Sequence, residues 1–184
     1  MRLFVAAFPP AVVNDELDSV AEQWRTSLDD VRWTRPEHRH LTLAFLGEVR
    51  PEIAGEVGSL LGRFRMRQAV EARLGPATGF PRASRARVAV VEVESKGLEI
   101  LAAELADALR RLGLTLEERA FRPHLTLARL RTPRSLEPVP PVEPIAWLVD
   151  RLELVESRLR DPSRRYSTVE TVSLAGGSAD SARP

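Results

Sequence analysis

The chain has 184 residues, of which 43% are hydrophobic and 29% are charged, and its formal net charge is +1. These values are typical of an ordinary globular protein of one domain or two small lobes. The absence of cysteine excludes disulfides, thiolate nucleophiles and cysteine-ligated zinc, and no apolar run is long enough to cross a bilayer. With no signal-peptide layout at the N-terminus, we expect a cytoplasmic protein that does not bind membranes.

The first half of the chain predicts strands that alternate with two amphipathic helices. Its elements are, in chain order, a strand over 2–8 ended by Pro9-Pro10, a helix after these prolines, a strand over 31–33, a strand over 40–46 closed by Gly47, and a helix that begins at Pro51. In each helix the apolar residues recur three or four positions apart, which places them on one face.

The second half predicts further strands and a third helix. Its elements are two strands within 69–94 joined by a loop over 74–87, a helix capped by Ser95, and strands over 124–130, 151–157 and 166–174. The segment 131–144 contains five prolines and is predicted to be a loop or linker outside the core.

The order of these elements predicts an α+β fold of two similar lobes, with each half of the chain supplying a helix and several strands. We expect residues 1–174 to form a single bilobal domain. The segment 175–184 is small and polar, and we expect it to form a disordered tail.

Basic residues are concentrated in two segments. Residues 63–87 hold seven arginines against Glu71 alone, a local charge of +6, and residues 119–134 hold five arginines and no acid, a local charge of +5. Such segregation suits a polyanionic partner on one face. A genomic preference for arginine is the competing explanation, because the chain has 26 arginines and a single lysine.

The pentapeptide HLTLA occurs twice, 84 positions apart, in a chain with only three histidines. Because alternate side chains of a strand share a face, His40 and Thr42 point to one side of the first copy, and His124 and Thr126 do so in the second. The leucines between them face the core. If the two lobes face each other, two imidazoles and two hydroxyls converge on one cleft.

Two convergent histidines suit phosphodiester chemistry. A neutral imidazole can take a proton from an attacking oxygen, and a protonated one can supply the leaving oxygen, because the usual histidine pKa lies near 6.5. Threonine hydroxyls can hold the remaining phosphate oxygens. The competing interpretation is that the histidines are structural, which is the commoner role of a single histidine in such a strand.

The two H-x-T-x motifs, the first followed by FLG and the second preceded by FRP, resemble the 2H phosphoesterase superfamily. The most similar branch is that of the bacterial and archaeal RNA 2′,3′-cyclic phosphodiesterases, formerly called 2′-5′ RNA ligases. The segments RLFVAAF, RWTRPEHRHLTLAFLGEV and FRPHLTLARLR fit this family in order, so the resemblance covers nearly the whole chain.

This resemblance implies a bilobal α+β fold with an antiparallel sheet flanked by helices in each lobe, and an active-site cleft between the lobes. It also implies hydrolysis of RNA-terminal 2′,3′-cyclic phosphate to a 2′-phosphate, accompanied by reversible 2′-5′ RNA ligation. The implied partners are RNA 3′ ends or nucleotides that carry the cyclic phosphate, with no metal, ATP or other cofactor. A monomer is the default expectation.

The resemblance also implies roles for individual residues. His40 would be the proton donor and His124 the proton acceptor, while Thr42 and Thr126 would hold the phosphate. Arg129 would be an additional phosphate contact, although strict alternation places it on the leucine face of its strand. A bulge, or the end of the strand, would reconcile the implied phosphate contact with this alternation; otherwise Arg129 is a surface residue. Phe45 and Phe121 are interpreted as core residues.

Two rival functions remain open. One rival is a zinc hydrolase with three histidine ligands, which would be His38, His40 and His124. His38 also stands where the resemblance leads us to expect a different residue. That interpretation leaves both threonines and the repeat unexplained. A non-catalytic RNA-end binding protein is the second rival, but binding alone does not require both histidines. An ATP-dependent ligase is excluded because the lone lysine lies in KGLE and not in a K-x-D-G motif.

Overall fold

Nine strands, three α-helices and three short 3-10 turns make up the described part of the chain. The computed structural model describes residues 1–118, 120–158 and 165–177. The strands are β1 (Arg2–Ala7), β2 (Val31–Trp33), β3 (Leu41–Glu48), β4 (Val70–Phe80), β5 (Ala86–Glu94), β6 (His124–Arg134), β7 (Ala146–Val149), β8 (Arg151–Ser157) and β9 (Tyr166–Ser173). The helices are α1 (Ala11–Arg25), α2 (Pro51–Gly62) and α3 (Lys96–Arg111). The 3-10 turns are Pro36–His38, Arg63–Met66 and Ala83–Arg85.

The strands form two antiparallel sheets, which confirms the predicted α+β fold. The first sheet has the order β3-β1-β8-β9, and the second has the order β2-β6-β5-β4-β7. The expectation that each half of the chain builds one lobe is wrong, because the first sheet joins two N-terminal strands to the last two strands. The two HLTLA copies nevertheless lie in different sheets.

The helices follow the predicted patterns. Pro10 and Arg50 precede the first residues of α1 and α2, and α3 begins after Ser95. The Leu98 backbone N–H donates to the Ser95 Oγ at 3.1 Å, which satisfies one of the unpaired donors of the first helical turn. The apolar faces of all three helices are buried against the sheets.

One continuous hydrophobic cluster contains buried residues from both sheets and from all three helices. Leu3 and Leu152 contribute from the first sheet, and Val91 and Leu125 contribute from the second, each with 0% exposure. Because the sheets share this core, we propose that the chain folds as a single domain.

The predicted loop over 74–87 is wrong. β4 continues to Phe80, and only residues 81–85 connect it to β5. The pairing register shifts between Leu74 and Ala77, so Gly75 and Pro76 are accommodated as an irregularity inside the strand. Glycine and proline therefore mark a bulge here, and not the end of the strand.

The predicted linker over 131–144 is also partly wrong. β6 runs on to Arg134, which is paired with Ala86, and Leu136 is only 2% exposed. The Leu136 carbonyl accepts a hydrogen bond from the Trp24 indole N–H at 3.1 Å, and the Leu136 N–H donates to the Ala83 carbonyl at 2.9 Å. The prolines leave this segment without a helix, but the side chain of Leu136 still reaches the core.

Both ends of the C-terminal region differ from the expectation. The strand β7 was not predicted; it is a four-residue edge strand beside β4, with Trp147 and Val149 buried between exposed neighbours. Ala175 exchanges backbone hydrogen bonds of 2.7 Å with Arg67 and Ala69, so ordered structure extends beyond Leu174. The rest of the predicted tail, 178–184, lies outside the described residues.

Within the described residues, no helix is long and apolar enough to cross a membrane.

Candidate active site

Residues of both sheets line a cleft of about 560 Å³. Its walls include His40 immediately before β3, Thr42 within β3, and His124 and Thr126 at the start of β6. Leu41 and Leu125, which alternate with these residues, are 1% and 0% exposed. The two motifs therefore use their leucines to anchor in the core and present their polar side chains to one shared space.

Each motif strand contains a β-bulge at the same place. In β6, Thr126 and Ala128 pair with the consecutive residues Val90 and Ala89, so Leu127 is the extra residue. In β3, Thr42 and Ala44 pair with Ala6 and Val5, so Leu43 is extra. A bulge of one residue reverses the alternation of the side chains that follow it.

The bulges decide which residues join the cleft beyond the threonines. Arg129 follows the bulge of β6 and lines the cleft, which agrees with the first of the alternatives left open by the sequence. Phe45 occupies the equivalent position in β3 and also lines the cleft. Its interpretation as a core residue is wrong, because it is 37% exposed. Phe121 is partly buried and packs against the core.

The same backbone contact orients both histidine rings. The Nδ1 of His40 lies 2.7 Å from the carbonyl oxygen of His38, and the Nδ1 of His124 lies 2.7 Å from the carbonyl oxygen of Arg122. Because a carbonyl only accepts hydrogen bonds, each Nδ1 carries a proton and donates it. The proton that either ring gains or loses is then the one on Nε2.

The surroundings of His124 favour its neutral form. Burial lowers its pKa below the usual value of 6.5, and the positive charges of Arg122 and Arg129 lower it further. The hydrogen bond to the Arg122 carbonyl and the negative charge of Glu92 act in the opposite direction without reversing the shift. The edge of the Phe80 ring, 4.9 Å away between centroids, forms part of the enclosure.

Aromatic rings enclose His40. The ring centroids of Phe4, Tyr166 and Phe8 lie 4.8, 5.3 and 5.7 Å from that of His40. The sequence analysis missed this enclosure. Phe4 and Phe8 lie four residues apart in the first predicted strand, so alternation alone could have placed them on one face. No local pattern links them to Tyr166, which comes from the last strand.

Positive charge dominates the cleft. Its described lining residues include no aspartate or glutamate and five arginines, which are Arg2, Arg32, Arg35, Arg129 and Arg165. Only Arg129 belongs to the two arginine-rich segments singled out in the sequence. The charge therefore suits a polyanion, but the fold gathers it from dispersed positions.

An ion pair with a buried arginine holds the backbone immediately before His40. The Arg39 side chain is 1% exposed, and its Nη2 lies 2.5 Å from the Oδ1 of Asp18 on α1. Its Nη1 also donates to the carbonyl of Asn14 at 3.1 Å. Since Arg39 lies between His38 and His40, these bonds tie the entry of the first motif to a rigid helix.

The geometry does not support the zinc alternative. His38 lines the cleft, but its ring packs edge-on against Tyr166 with the centroids 5.2 Å apart. Across the described ranges, no three histidine, aspartate or glutamate side chains are placed so that they could hold one metal ion. The three histidines are therefore not arranged as a ligand set.

Comparisons with known proteins agree with this architecture. A model of the 2′-5′ RNA ligase superfamily matches residues 9–161. A Thermus thermophilus protein named RNA 2′,3′-cyclic phosphodiesterase is 31% identical over 186 residues, which cover 96% of this chain and 91% of that protein. A Thermotoga maritima protein of the same name is 28% identical over 186 residues, or 96% of this chain and 97% of that protein.

Solved structures give the same result. A crystal structure of TT0787 from Thermus thermophilus superposes with a TM-score of 0.84 at 30% identity, and covers 95% of this chain and 98% of that one. E. coli LigT in complex with 3′-AMP gives a TM-score of 0.74 at 26% identity over 95% of this chain and 98% of that one. Two sheets that each contribute one histidine–threonine strand to a common cleft define the class of 2H phosphoesterases. The chain belongs to the 2′-5′ RNA ligase superfamily.

Proposed function

We propose that this protein is an RNA 2′,3′-cyclic phosphodiesterase that hydrolyses a terminal 2′,3′-cyclic phosphate to a 2′-phosphate. The observation that carries the proposal is a pair of histidines that face one cleft and share the same hydrogen bond from Nδ1 to a carbonyl. Among the described residues, five arginines and no acidic residue line this cleft. The names of the relatives support the same substrate class.

His124 is the proposed proton acceptor. Its lowered pKa keeps Nε2 unprotonated at neutral pH, so that it can take a proton from a water molecule. The water oxygen forms a new bond to phosphorus as this proton leaves. Arg129 also contributes to the lowered pKa, so an arginine proposed to bind the phosphate also favours the neutral form of the base.

His40 is the proposed proton donor. The bond between phosphorus and the ribose 3′ oxygen breaks, and Nε2 of a protonated His40 supplies the proton that this oxygen needs. The product keeps its phosphate on the 2′ oxygen. The rings of Phe4, Tyr166 and Phe8 pack around the His40 imidazole and hold it in position to give this proton.

The remaining residues are proposed to hold the phosphate. The hydroxyls of Thr42 and Thr126 share the cleft with the histidines and can donate hydrogen bonds to the non-bridging oxygens of the phosphate. Arg129 adds a charged donor to the same group, and its interaction with the phosphate strengthens as negative charge develops in the transition state. An RNA 5′-hydroxyl in place of water would give the proposed 2′-5′ ligation without ATP.

The test is hydrolysis of a nucleoside 2′,3′-cyclic monophosphate in EDTA, with the position of the product phosphate determined by ³¹P NMR. Turnover in EDTA is expected, because both proton transfers come from side chains. A 2′-phosphate is expected, because the bond to the 3′ oxygen is the one that breaks. A 3′-phosphate would contradict the proposed cleavage of the bond to the 3′ oxygen. Turnover that requires added zinc would contradict the two-histidine mechanism.

A further inference from the structure

We propose that a second groove, continuous with the cleft, binds the nucleotide on the 5′ side of the terminal residue that carries the cyclic phosphate. This inference rests on the proposed function. It adds a specificity site for an RNA chain, as opposed to a free cyclic nucleotide.

The groove begins at the reacting centre. It has a volume of about 1020 Å³ and shares four lining residues with the cleft, namely Arg2, Thr42, Phe45 and His124. Arg2 stacks over the Phe45 ring, with its guanidinium carbon 5.0 Å from the ring centroid. From there the groove extends between α3 and the strands β3 and β5. The two cavities therefore adjoin at the proposed reacting centre, and a ligand with its phosphate between the histidines lies next to the groove.

The walls of the groove suit a nucleobase. Phe45 and Phe80 offer aromatic rings, and the exposed face of α3 contributes small side chains, including Ala103 and Ala106, that leave room for a flat ligand. Arg122 lies over the Phe80 ring at 4.6 Å, which makes a platform of an aromatic ring and a guanidinium plane. Bases of single-stranded RNA are bound on such surfaces by stacking.

The charges of the groove suit the phosphodiester that joins two nucleotides. Four arginines and two glutamates line it among the described residues, and these are Arg2, Arg87, Arg110, Arg122, Glu99 and Glu117. Glu99 pairs with Lys96 at 2.6 Å, which offsets part of its negative charge. Arg87 is exposed at the start of β5 and lies outside the proposed catalytic group. It is the candidate contact for the phosphate upstream of the cyclic terminus.

The direction of the RNA chain favours this occupant. A terminal nucleotide has no residue on its 3′ side, so every further nucleotide is attached through its 5′ oxygen. Any part of the RNA outside the cleft must therefore belong to the 5′ side. A groove that opens from the same histidine and threonine is the space that this part of the chain meets first.

The experiment compares a 2′,3′-cyclic mononucleotide with a short RNA that ends in the same cyclic phosphate. We expect the wild-type protein to hydrolyse the RNA with a kcat/KM at least 10-fold higher. Ala103→Glu places a negative charge on the groove wall, and should lower kcat/KM at least 10-fold for the RNA but less than 2-fold for the mononucleotide. Ile100→Glu is the matched control, because Ile100 is exposed on the same helix but is not among the groove's lining residues, and it should change neither value.

Salt dependence gives an independent readout. Each phosphate contact of a single strand contributes about −0.7 to the slope of log affinity against log salt. Arg87→Gln should therefore make the slope for the RNA shallower by about 0.7 and leave that for the mononucleotide unchanged. Arg85→Gln, an exposed arginine two residues away that is not among the groove's lining residues, serves as the control.

The outcomes separate this inference from the proposed function. If neither substrate is hydrolysed by the wild-type protein, the proposed function fails first. If Ala103→Glu impairs both substrates equally, the groove holds the terminal nucleotide itself and the inference is wrong. If both substrates are hydrolysed equally well and Ala103→Glu affects neither, the groove does not bind RNA.

Discussion

At the scale of single residues, the two histidines have different neighbours although their motifs are identical. Burial and, to a lesser extent, nearby positive charges lower the pKa of His124, whereas His40 lies among aromatic rings. Both are held by the same hydrogen bond from Nδ1 to a carbonyl two residues earlier. The two copies of the motif share one ring orientation, and we propose that the residues around each copy set its chemical role.

Removal of either histidine should abolish most of the turnover. We expect His40→Ala and His124→Ala each to lower kcat at least 10²-fold, because each removes one proton transfer worth roughly 10²–10⁴-fold. Steady-state hydrolysis of a cyclic nucleotide measures the effect, and circular dichroism checks the fold. His38→Ala is the control and should cost less than 10-fold, since it retains the carbonyl that accepts from His40. An equal loss in all three variants would contradict the two-histidine assignment.

The pH profile should report the lowered pKa of His124. Activity requires the deprotonated ring, so the rising limb of kcat/KM should lie below pH 6.5. Arg122→Gln removes a positive charge that lowers this pKa, and it leaves Glu92 without its 2.9 Å ion pair. Both changes stabilise the protonated ring, so the limb should move to higher pH. Arg131→Gln, on the same strand as His124 but paired with Asp30, should leave the limb in place.

At the scale of elements, the first motif depends on the junction between α1 and the entry to β3. Arg39→Leu removes a buried guanidinium and leaves the Asn14 carbonyl without that donor. We expect it to lower the free energy of unfolding by about 2 kcal/mol, as for a lost hydrogen bond to a charged donor, because Asp18 is half-exposed and can be rehydrated. Chemical denaturation measures this value. A change below about 1 kcal/mol would show that the ion pair does not anchor the junction.

The hairpin of β4 and β5 packs closely against the proline-rich segment. A Cβ added at Gly79 would clash with the Cβ of Ala86 and lie 2.7 Å from the Cδ1 of Leu136. Gly79→Ala should therefore lower the melting temperature. Gly62, at the end of α2, has no atom within 4 Å of an added Cβ. Gly62→Ala is the matched control and should stabilise by about 0.4–1 kcal/mol, since alanine restricts the unfolded chain.

At the scale of the whole molecule, one core joins the two sheets. The buried cluster includes residues of β1 and β8 as well as residues of β5 and β6. We therefore expect one cooperative thermal transition, with the far-UV signal of the strands and the near-UV signal of the tryptophans changing together. Trp24 and Trp147 are both buried and report on packing. Two separate transitions would contradict the single-domain proposal.

The sequence predicted most elements of this fold, because their signals are local. The helices α1, α2 and α3 follow from apolar spacing and from Pro10, Pro51 and Ser95 near their first residues. Two of the errors occur at glycine and proline residues that lie inside ordered structure. Pro76 lies inside a bulged strand, and Leu136 reaches the core from a proline-rich segment, because tertiary pairing and burial outweigh local propensity.

The sequence alone predicts that two histidine–threonine pairs are presented on strand faces, because alternation is a property of a single strand. The surroundings of these pairs depend on strand pairing and sheet order. Strand pairing places the extra residues Leu43 and Leu127, and so turns Phe45 and Arg129 toward the cleft. Sheet order likewise brings Arg2 and Arg165, from opposite ends of the chain, to the same cavity. Such contacts join residues that are distant in sequence, and no local pattern specifies them.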